Sequence, residues 1–541
     1  MKIKFLGAAR TVTGSCFILS YNGRRFAIDC GMHQGNREIE KRNWNIEEYD
    51  PKHLDFIIIT HAHIDHSGLL PKVVKEGFKG KIYLTPPTAD LLDIMLADSA
   101  HVQEMEVEWK KKKKVRRGDN STTLIEPLYT QEDVDNTLSF FEKVDYGQKV
   151  CPFPGLEFSL YDAGHILGSA SVKLTLQQED RAYDFVFSGD LGRPHQLIVN
   201  DPTYFEQADF VFMESTYGDR DHKDEGQTRE ELLDAIWYAY KNGEKVIIPA
   251  FAVERTQEIL FILHLLYRED KLPKDMPIFL DSPLAIRATE VFKKHYRYFD
   301  ELGKSLLQKG DSPLDLPTLK YSLSTQDSMR LNNFNQPAII ISASGMAHAG
   351  RIKHHLKHNL WRDGASIVFV GFQAKGTTGR KIVDGAKSVK IFGEQVAVRA
   401  RVYTINGFSS HAGQSQLLTW LGHFKNKNLK VFLVHGEEEK QNILATLIKK
   451  RYSFSVHIPE YLEECEIALD RVQGRVPEEK RISLVNWDYL FAELKEKITS
   501  LEQHKEFLAK LDLIDQTDVR DEILDVISLL NKIHSDLPVN Q

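Results

Sequence analysis

The chain reads as an α/β protein in which one α/β domain is inserted into another and a helical segment follows. Three changes of rhythm in the sequence predict this. Residues 1–208 alternate short β-rich runs with polar loops, residues 209–400 turn to strand-then-helix units, and from 465 onward helical spacing replaces strands. At 541 residues the chain also exceeds the size at which one hydrophobic core stops growing.

In the first region "KIKFLGA", "SCFILSYNGRRFAIDCG", "LDFIIITHAH", "GKIYLT", "LEFSLYDAGH", "ASVKLTL" and "YDFVFSGD" have strand character, and several run out into a His or an Asp. Asn22 and Gly23 in "YNGR" predict a hairpin turn, and the spacing predicts helices over 87–117 and 131–143. In the second region "ADFVFME", "EKVIIPAF", "MPIFLDS", "QPAIIISAS" and "ASIVFVG" alternate with helical stretches, which implies a mainly parallel, covered sheet. Short strands return in "VRARVYTINGF" and "LKVFLVHGE", so 401–464 is assigned back to the first domain. Beyond 465, in the 465–541 extension, Trp487, Leu490, Phe491, Leu494, Ile498, Leu501, Leu508 and Leu511 follow helical spacing. Asp518 is placed to cap a second helix carrying Ile523, Val526, Leu530 and Ile533. Such a helical hairpin packs either on its own chain or on a second subunit, which would make a homodimer.

With 42% hydrophobic and 27% charged residues the sequence is globular rather than disordered. No apolar run reaches the roughly 18 residues of a membrane span and the first residues lack a secretory core, so no membrane association and a cytoplasmic setting are expected. Cys16, Cys30, Cys151 and Cys465 are scattered without metal-type pairing, which predicts reduced thiols and a metal, if bound, held without sulfur. A net charge of −7 argues against a surface coated in polyanion, yet the run from Lys110 to Arg117 is a local basic patch.

Chemistry enters with "THAHIDHSG", residues 60–68. His61 and His63 are two apart, so on an extended segment their rings project to one side, while Asp65 and His66 fall across the following turn. Two adjacent metal positions fit that layout better than one. Strand ends are where a rigid scaffold can supply more ligands. "YDAGHILGSA" offers His165, "FVFSGDLG" offers Asp190 and "KVFLVHGE" offers His435. Nitrogen and oxygen ligands without thiolate suit zinc, with manganese and iron as alternatives. Two such ions lower the pKa of a shared water and neutralise charge on a phosphoryl group, although a thioester or a lactam could meet the same centre.

The constellation resembles the metallo-β-lactamase fold, an αββα sandwich, in which "THAHIDHSG" matches the signature motif and Asp29 of "FAIDCG", His165 and Asp190 match further elements. Carried over by position, the resemblance implies one zinc on His61, His63 and His165 and a second on Asp65, His66 and His435. Asp190 would bridge them, and Asp29 would hold ligand geometry from behind. The insertion lies between "FVFMESTYGDRDH" and "GFSSHAGQ" and contains "IPAFAVERTQEIL", "LDSPLA", "SASGM" and "GFQAKGTTGR". It is similar to the β-CASP domain of nucleic-acid-processing nucleases, in particular prokaryotic proteins similar to the endonuclease subunit of the cleavage and polyadenylation specificity factor. The resemblance covers about residues 1–460. It implies a ribonuclease of RNA processing or decay with two Zn2+ ions as cofactors. RNA is the implied partner because the position of His435 is histidine in RNA-directed members and valine in DNA-directed ones. His411 would be the general acid, Glu214 the carboxylate that orients it, and Asp65 a catalytic carboxylate as well as a ligand.

Phosphate handling has a basis in the residues themselves. "SASGMAHAGRIKHHL" runs from a strand through Ser344 and Gly345 towards a helix whose N-terminus would favour an anion, and "GTTGR", ending in Arg380, repeats the arrangement. The basic run at 110–117 could guide an RNA backbone. Two other readings share this fold. A non-catalytic RNA-binding subunit is disfavoured by seven intact ligands, and a thioester hydrolase would leave the insertion without a purpose.

Overall fold

The computed structural model describes residues 1–541 except 117–124, 179–180, 223–224, 372, 375, 406–408, 468–471, 477–486, 511–512 and 537–541. Apolar runs of the first region form two sheets. The eight-stranded sheet has the spatial order Val472–Arg475, Glu464–Ile467, Lys2–Phe5, Phe17–Tyr21, Arg24–Ile28, Phe56–Ile58, Lys81–Leu84, Phe141–Lys143. The seven-stranded sheet runs Ser455–His457, Lys430–Val434, Phe210–Glu214, Arg181–Phe187, Ala170–Gln178, Leu156–Asp162, Val150–Phe153. Asn22 and Gly23, at φ 48° and 73°, make the two-residue turn that "YNGR" predicts.

Phenylalanines join the two inner faces. Phe187 and Phe212 stack at 4.3 Å, Phe212 and Phe432 at 4.5 Å, and Phe5, Phe17, Phe26 and Phe158 share the same core. Each ring so buried contributes roughly 1.5–3 kcal/mol. Helices cover the outer faces. Leu70, Val73, Leu91 and Leu92 share a core with Ile57 and Ile82, while Leu417, Leu421, Leu444 and Ile448 do so with Val211 and Leu433. The two sheets and their covering helices form the expected αββα sandwich.

The inserted sheet is parallel throughout, in the order Leu319–Tyr321, Ile278–Leu280, Ala338–Ser342, Lys245–Pro249, Ser366–Phe369, Arg401–Thr404. Its central isoleucines are buried on both faces, as the unbroken apolar runs require. "LDSPLA" starts the helix Pro283–Lys294, where Ser282 Oγ accepts from Ala285 N at 3.3 Å and proline occupies the first turn. That helix packs on the long helix Pro86–Arg116, and Asp90 lies 2.7 Å from His295 Nε2.

Several boundaries differ from those expected. Phe210–Glu214, counted with the insertion from 209, pairs with Arg181–Phe187 and Lys430–Val434 and so belongs to the sandwich. Arg401–Thr404, counted with the returning part from 401, is the edge strand of the inserted sheet. Both are short apolar segments whose composition does not say which sheet they join. Strands do not stop at 465, since Glu464–Ile467 and Val472–Arg475 pair with each other and extend the sheet from Lys2–Phe5. The helix expected over 131–143 ends at Leu138, and the β-preferring aromatic pair Phe140 and Phe141 leads into the strand Phe141–Lys143.

Residues 477–541 form a separate unit with helices Trp487–Gln503, Lys505–Leu508 and Leu513–Asp536. Asp518 falls inside the last helix rather than capping it, because the good helix formers Leu513 and Gln516 carry the helix a turn further back. Leu511 lies outside the described residues. Among the described residues no helix is long and apolar enough to cross a membrane.

Candidate metal centre

Five strands of the seven-stranded sheet point the same way, and four of them lead to the site. Arg181–Phe187, Phe210–Glu214 and Lys430–Val434 are parallel neighbours, and Leu156–Asp162 matches them through its antiparallel neighbour Ala170–Gln178. Their ends deliver His165, Asp190, Glu214 and His435. The facing sheet adds Asp29 and His61 just past the parallel strands ending at Ile28 and Ile58. Glycines let these loops meet backbone to backbone. A Cβ on Gly31 would lie 1.7 Å from Asp65 O, and one on Gly192 would lie 1.6 Å from Gly164 O.

All seven expected ligands converge. His61, His63, His165 and Asp190 bring ligand atoms within 4.8 Å of one another, as do Asp65, His66 and His435. His63 Nδ1 is 3.1 Å from His61 Nε2 and 3.2 Å from His165 Nε2, with Asp190 Oδ2 at 3.5 Å and 3.6 Å from those two Nε2 atoms. Asp190 Oδ1 lies 3.3 Å from His66 Nε2 and 3.3 Å from His435 Nδ1, and His435 Nε2 is 3.5 Å from Asp65 Oδ2. Asp190 therefore turns one oxygen to each group.

The donor set fits divalent cations. The buried atoms His66 Nε2, His435 Nε2 and Asp190 Oδ1 have no hydrogen-bond partner among the described residues. Buried polar atoms are costly when unsatisfied, and converging imidazoles and carboxylates are the ligands of zinc-type ions. Burial, followed by neighbouring histidines, pushes His61 and His165 well below the ordinary histidine range, and burial brings His63 down to about 4. Neutral rings are the form that ligates metal. His66 is shifted the other way, because its burial is outweighed by Asp190 and Asp29, which raise it well above the ordinary range. Burial opposes the ionised form of Asp65 as well, but His435 and His66 outweigh it and hold the carboxyl at about 2.

Behind these residues stands Asp29, held at φ 61°. Its Oδ1 accepts from Thr60 N at 2.8 Å, and its Oδ2 accepts from Thr60 Oγ1 at 3.0 Å and faces His66 Nδ1 at 2.6 Å. Thr60 Oγ1 in turn lies 3.0 Å from His61 Nδ1, so one carboxylate orients two rings. Thr216 does the same for His435, with Oγ1 3.1 Å from Nδ1. Sequence reasoning misses both threonines, and their only signal is that Thr60 precedes His61 and Thr216 lies two residues after Glu214.

Glu214, fully buried, accepts through Oε1 from Leu191 N at 2.7 Å and from His411 Nδ1 at 3.2 Å, and through Oε2 from Thr216 N at 3.3 Å. The chain brings His411 back from beyond the insertion by bonding Ala412 N to Leu191 O at 2.7 Å, and the His411 ring lies 4.5 Å from that of His165. Burial disfavours its cation, but Glu214 and then Asp190 and Asp65 outweigh this and lift the pKa to about 9. Glu254, absent from the expected site, ties the insertion to this edge. It is buried, at φ 68°, and accepts from Leu167 N at 3.3 Å.

The expected phosphate residues are arranged differently. The helix after "SASGM" begins only at Ile352, so Ser344 and Gly345 lie in the preceding loop and not at its N-terminus. Positive φ at Ala347 and Gly350 rules out helix between them. Arg380 does lie in a helix, Thr378–Val383, and Gly379 N donates to Met346 O at 3.2 Å, so the two loops meet. Its guanidinium, however, pairs with Asp384 at 2.9 Å. In the basic run Lys110 and Lys112 pair with Glu106 and Glu108 at 3.3 Å, and Arg117 lies outside the described residues.

Three family models match the chain in order: a metallo-beta-lactamase superfamily domain over 18–188, a Beta-Casp domain over 256–382, and a Zn-dependent metallo-hydrolase RNA specificity domain over 395–459. The sandwich, the strand-end histidines and aspartates and these matches are those of a metallo-hydrolase. Ribonuclease TTHA0252 of Thermus thermophilus is 39% identical over 83% of this chain and 96% of its own. Two archaeal proteins called transcription termination factor FttA are also similar. That of Thermococcus kodakarensis is 32% identical over 86% of this chain and 71% of its own, and that of Methanocaldococcus jannaschii 29% over 86% and 72%. The chain belongs to the β-CASP family of the metallo-β-lactamase superfamily.

Proposed function

We propose that this protein is a zinc-dependent ribonuclease hydrolysing RNA phosphodiester bonds in RNA processing or decay. The observation that carries this reading is the convergence of seven nitrogen and oxygen ligands, several without other partners, beside the buried Glu214–His411 pair. His61, His63 and His165 would hold one Zn2+, Asp65, His66 and His435 a second, with Asp190 between them and Asp29 fixing His66. Two ions bound there would acidify a water and neutralise charge on the phosphoryl group.

The chain's own residues supply the remaining chemistry. Glu214 receives the Nδ1 proton side of His411, which fixes the tautomer and leaves Nε2 to give a proton to the departing oxygen. Asp65, the more exposed carboxylate of the cluster, would take the proton of the attacking water. In the insertion Phe251 is 47% exposed and packs on Gly345 beyond the ends of the parallel strands, where a base can stack on its ring. RNA is the favoured substrate because the matched RNA specificity domain spans His411 and His435 and a relative 39% identical is named a ribonuclease.

End-labelled and circular RNAs incubated with the protein and with His411→Ala test the reading. Expected is metal-dependent cleavage, reduced by about 10²–10⁴-fold in the variant. Opened circles would show endonucleolytic action, and no cleavage of any RNA with zinc or manganese present would overturn the reading.

A further inference from the structure

Outside the strand-end centre the described residues hold one more group of converging ligand-type side chains, His457, Glu463 and Cys465. His457 lies in the edge strand Ser455–His457 of the seven-stranded sheet, and Cys465 in Glu464–Ile467 of the eight-stranded one, so the group spans from sheet to sheet. His457 Nε2 is 2.8 Å from Glu463 Oε1, and Cys465 Sγ is 3.4 Å from that oxygen and 3.9 Å from Nε2. A tetrahedral zinc with its usual bond lengths spaces such atoms about 3.3–3.6 Å apart, so shifts of roughly half an ångström would seat it.

The surroundings are built to match. Gly474 faces Cys465 across the strand pair, and a Cβ there would stand 1.9 Å from Glu463 Oε1 and 3.5 Å from Cys465 Sγ, so glycine lets the Glu463 carboxylate keep this position. Glu463 Oε2 is held by Glu460 N at 2.7 Å, and the His457 ring meets Phe432 edge-on at 5.5 Å, which orients two of the three donors in advance. Glu463 and Cys465 are buried, while the His457 side chain is 37% exposed and gives both an entry path and room for a water as fourth ligand.

We propose that His457, Glu463 and Cys465 form a further metal site, for a borderline-soft divalent ion of the zinc type, that clips the two sheets of the sandwich together. On binding, the Cys465 thiol releases its proton to solvent, and the Nε2 proton that His457 gives Glu463 is also released to solvent while Nδ1 carries the proton of the neutral ring. Thiolate and carboxylate then balance the two charges of the ion. Such a site would hold its metal through sulfur, unlike the strand-end centre, and nothing in it depends on RNA as substrate.

Cobalt(II) titrated into the metal-depleted full-length protein tests the site, because thiolate ligation gives an intense sulfur-to-cobalt absorption in the near ultraviolet and the strand-end centre has no sulfur. That band is expected in the wild type and in Asp190→Asn, and its loss is expected in Cys465→Ser. A wild type without the band, or a Cys465→Ser variant that keeps it, overturns the proposal. Should Cys465→Ser fail to fold, His457→Ala is read by elemental analysis. One zinc ion fewer per chain supports the site, and an unchanged count overturns it.

Discussion

Asp190 in the sandwich and Asp281 in the inserted domain are both buried carboxylates facing histidine, yet one is closed and the other open. Asp281 Oδ2 accepts from Ser328 Oγ at 2.6 Å and faces His355 Nε2 at 2.6 Å, and its Oδ1 accepts from Arg351 Nη1 at 2.8 Å. Asp190 Oδ1 has no hydrogen-bond partner among the described residues, although nitrogens of His66 and His435 stand 3.3 Å away. A closed network holds a fold together. An open one is kept buried at a cost of about 1–3 kcal/mol per atom, and the open oxygen of Asp190 stands where several ligand atoms meet. Burial beside histidine therefore does not by itself identify a metal site, whereas the gathering of three or more ligand atoms does so better.

Breaking the open carboxylate should have the largest effect. Asp190→Asn is expected to slow RNA cleavage at least about 1000-fold, the equivalent of about 4 kcal/mol of transition-state stabilisation, while far-ultraviolet dichroism stays native. Loss of the native spectrum would show that the carboxylate is structural after all. Breaking the closed one should act on stability instead. Asp281→Ala leaves Arg351 and His355 uncompensated and is expected to cost about 3–5 kcal/mol in urea unfolding. A loss below about 1 kcal/mol would remove the contrast.

A smaller, pH-dependent effect belongs to Glu254, which joins the two regions. Burial first, then Glu258 and Asp162, push its carboxyl from 4.5 to about 8 against Arg255 and the Leu167 N–H. The folded protein thus keeps a proton that the unfolded chain releases. Its contribution is complete below about pH 4.5 and is lost as pH rises through about 8. The thermal midpoint of the wild type should fall more between about pH 6 and about pH 9 than that of Glu254→Gln, and parallel falls would contradict the assignment.

The same contrast explains what the sequence made readable. His61, His63, Asp65 and His66 stand out because metal spacing is local, two residues on extended backbone and then one turn. His165, Asp190 and His435 stand out only as residues ending strands, and the family resemblance is what joins them. Thr60 and Thr216 carry no such signal, since a hydroxyl can orient a ring from any spacing. Sheet membership of Phe210–Glu214 was hidden because its partner Lys430–Val434 lies beyond the whole insertion. The loop at Ser344 and Gly345 is not legible in the sequence because "MAHAG" has helical composition but left-handed turns at Ala347 and Gly350. Cys465 looked isolated because its companions His457 and Glu463 meet it only when two sheets are stacked.

Zinc per chain, measured on Asp190→Asn and Asp281→Ala purified alongside the wild type, tests the open-versus-closed distinction most directly. Asp190→Asn should lose zinc from the strand-end centre, and Asp281→Ala should keep the wild-type content. Wild-type zinc in Asp190→Asn, or a loss confined to Asp281→Ala, would contradict it.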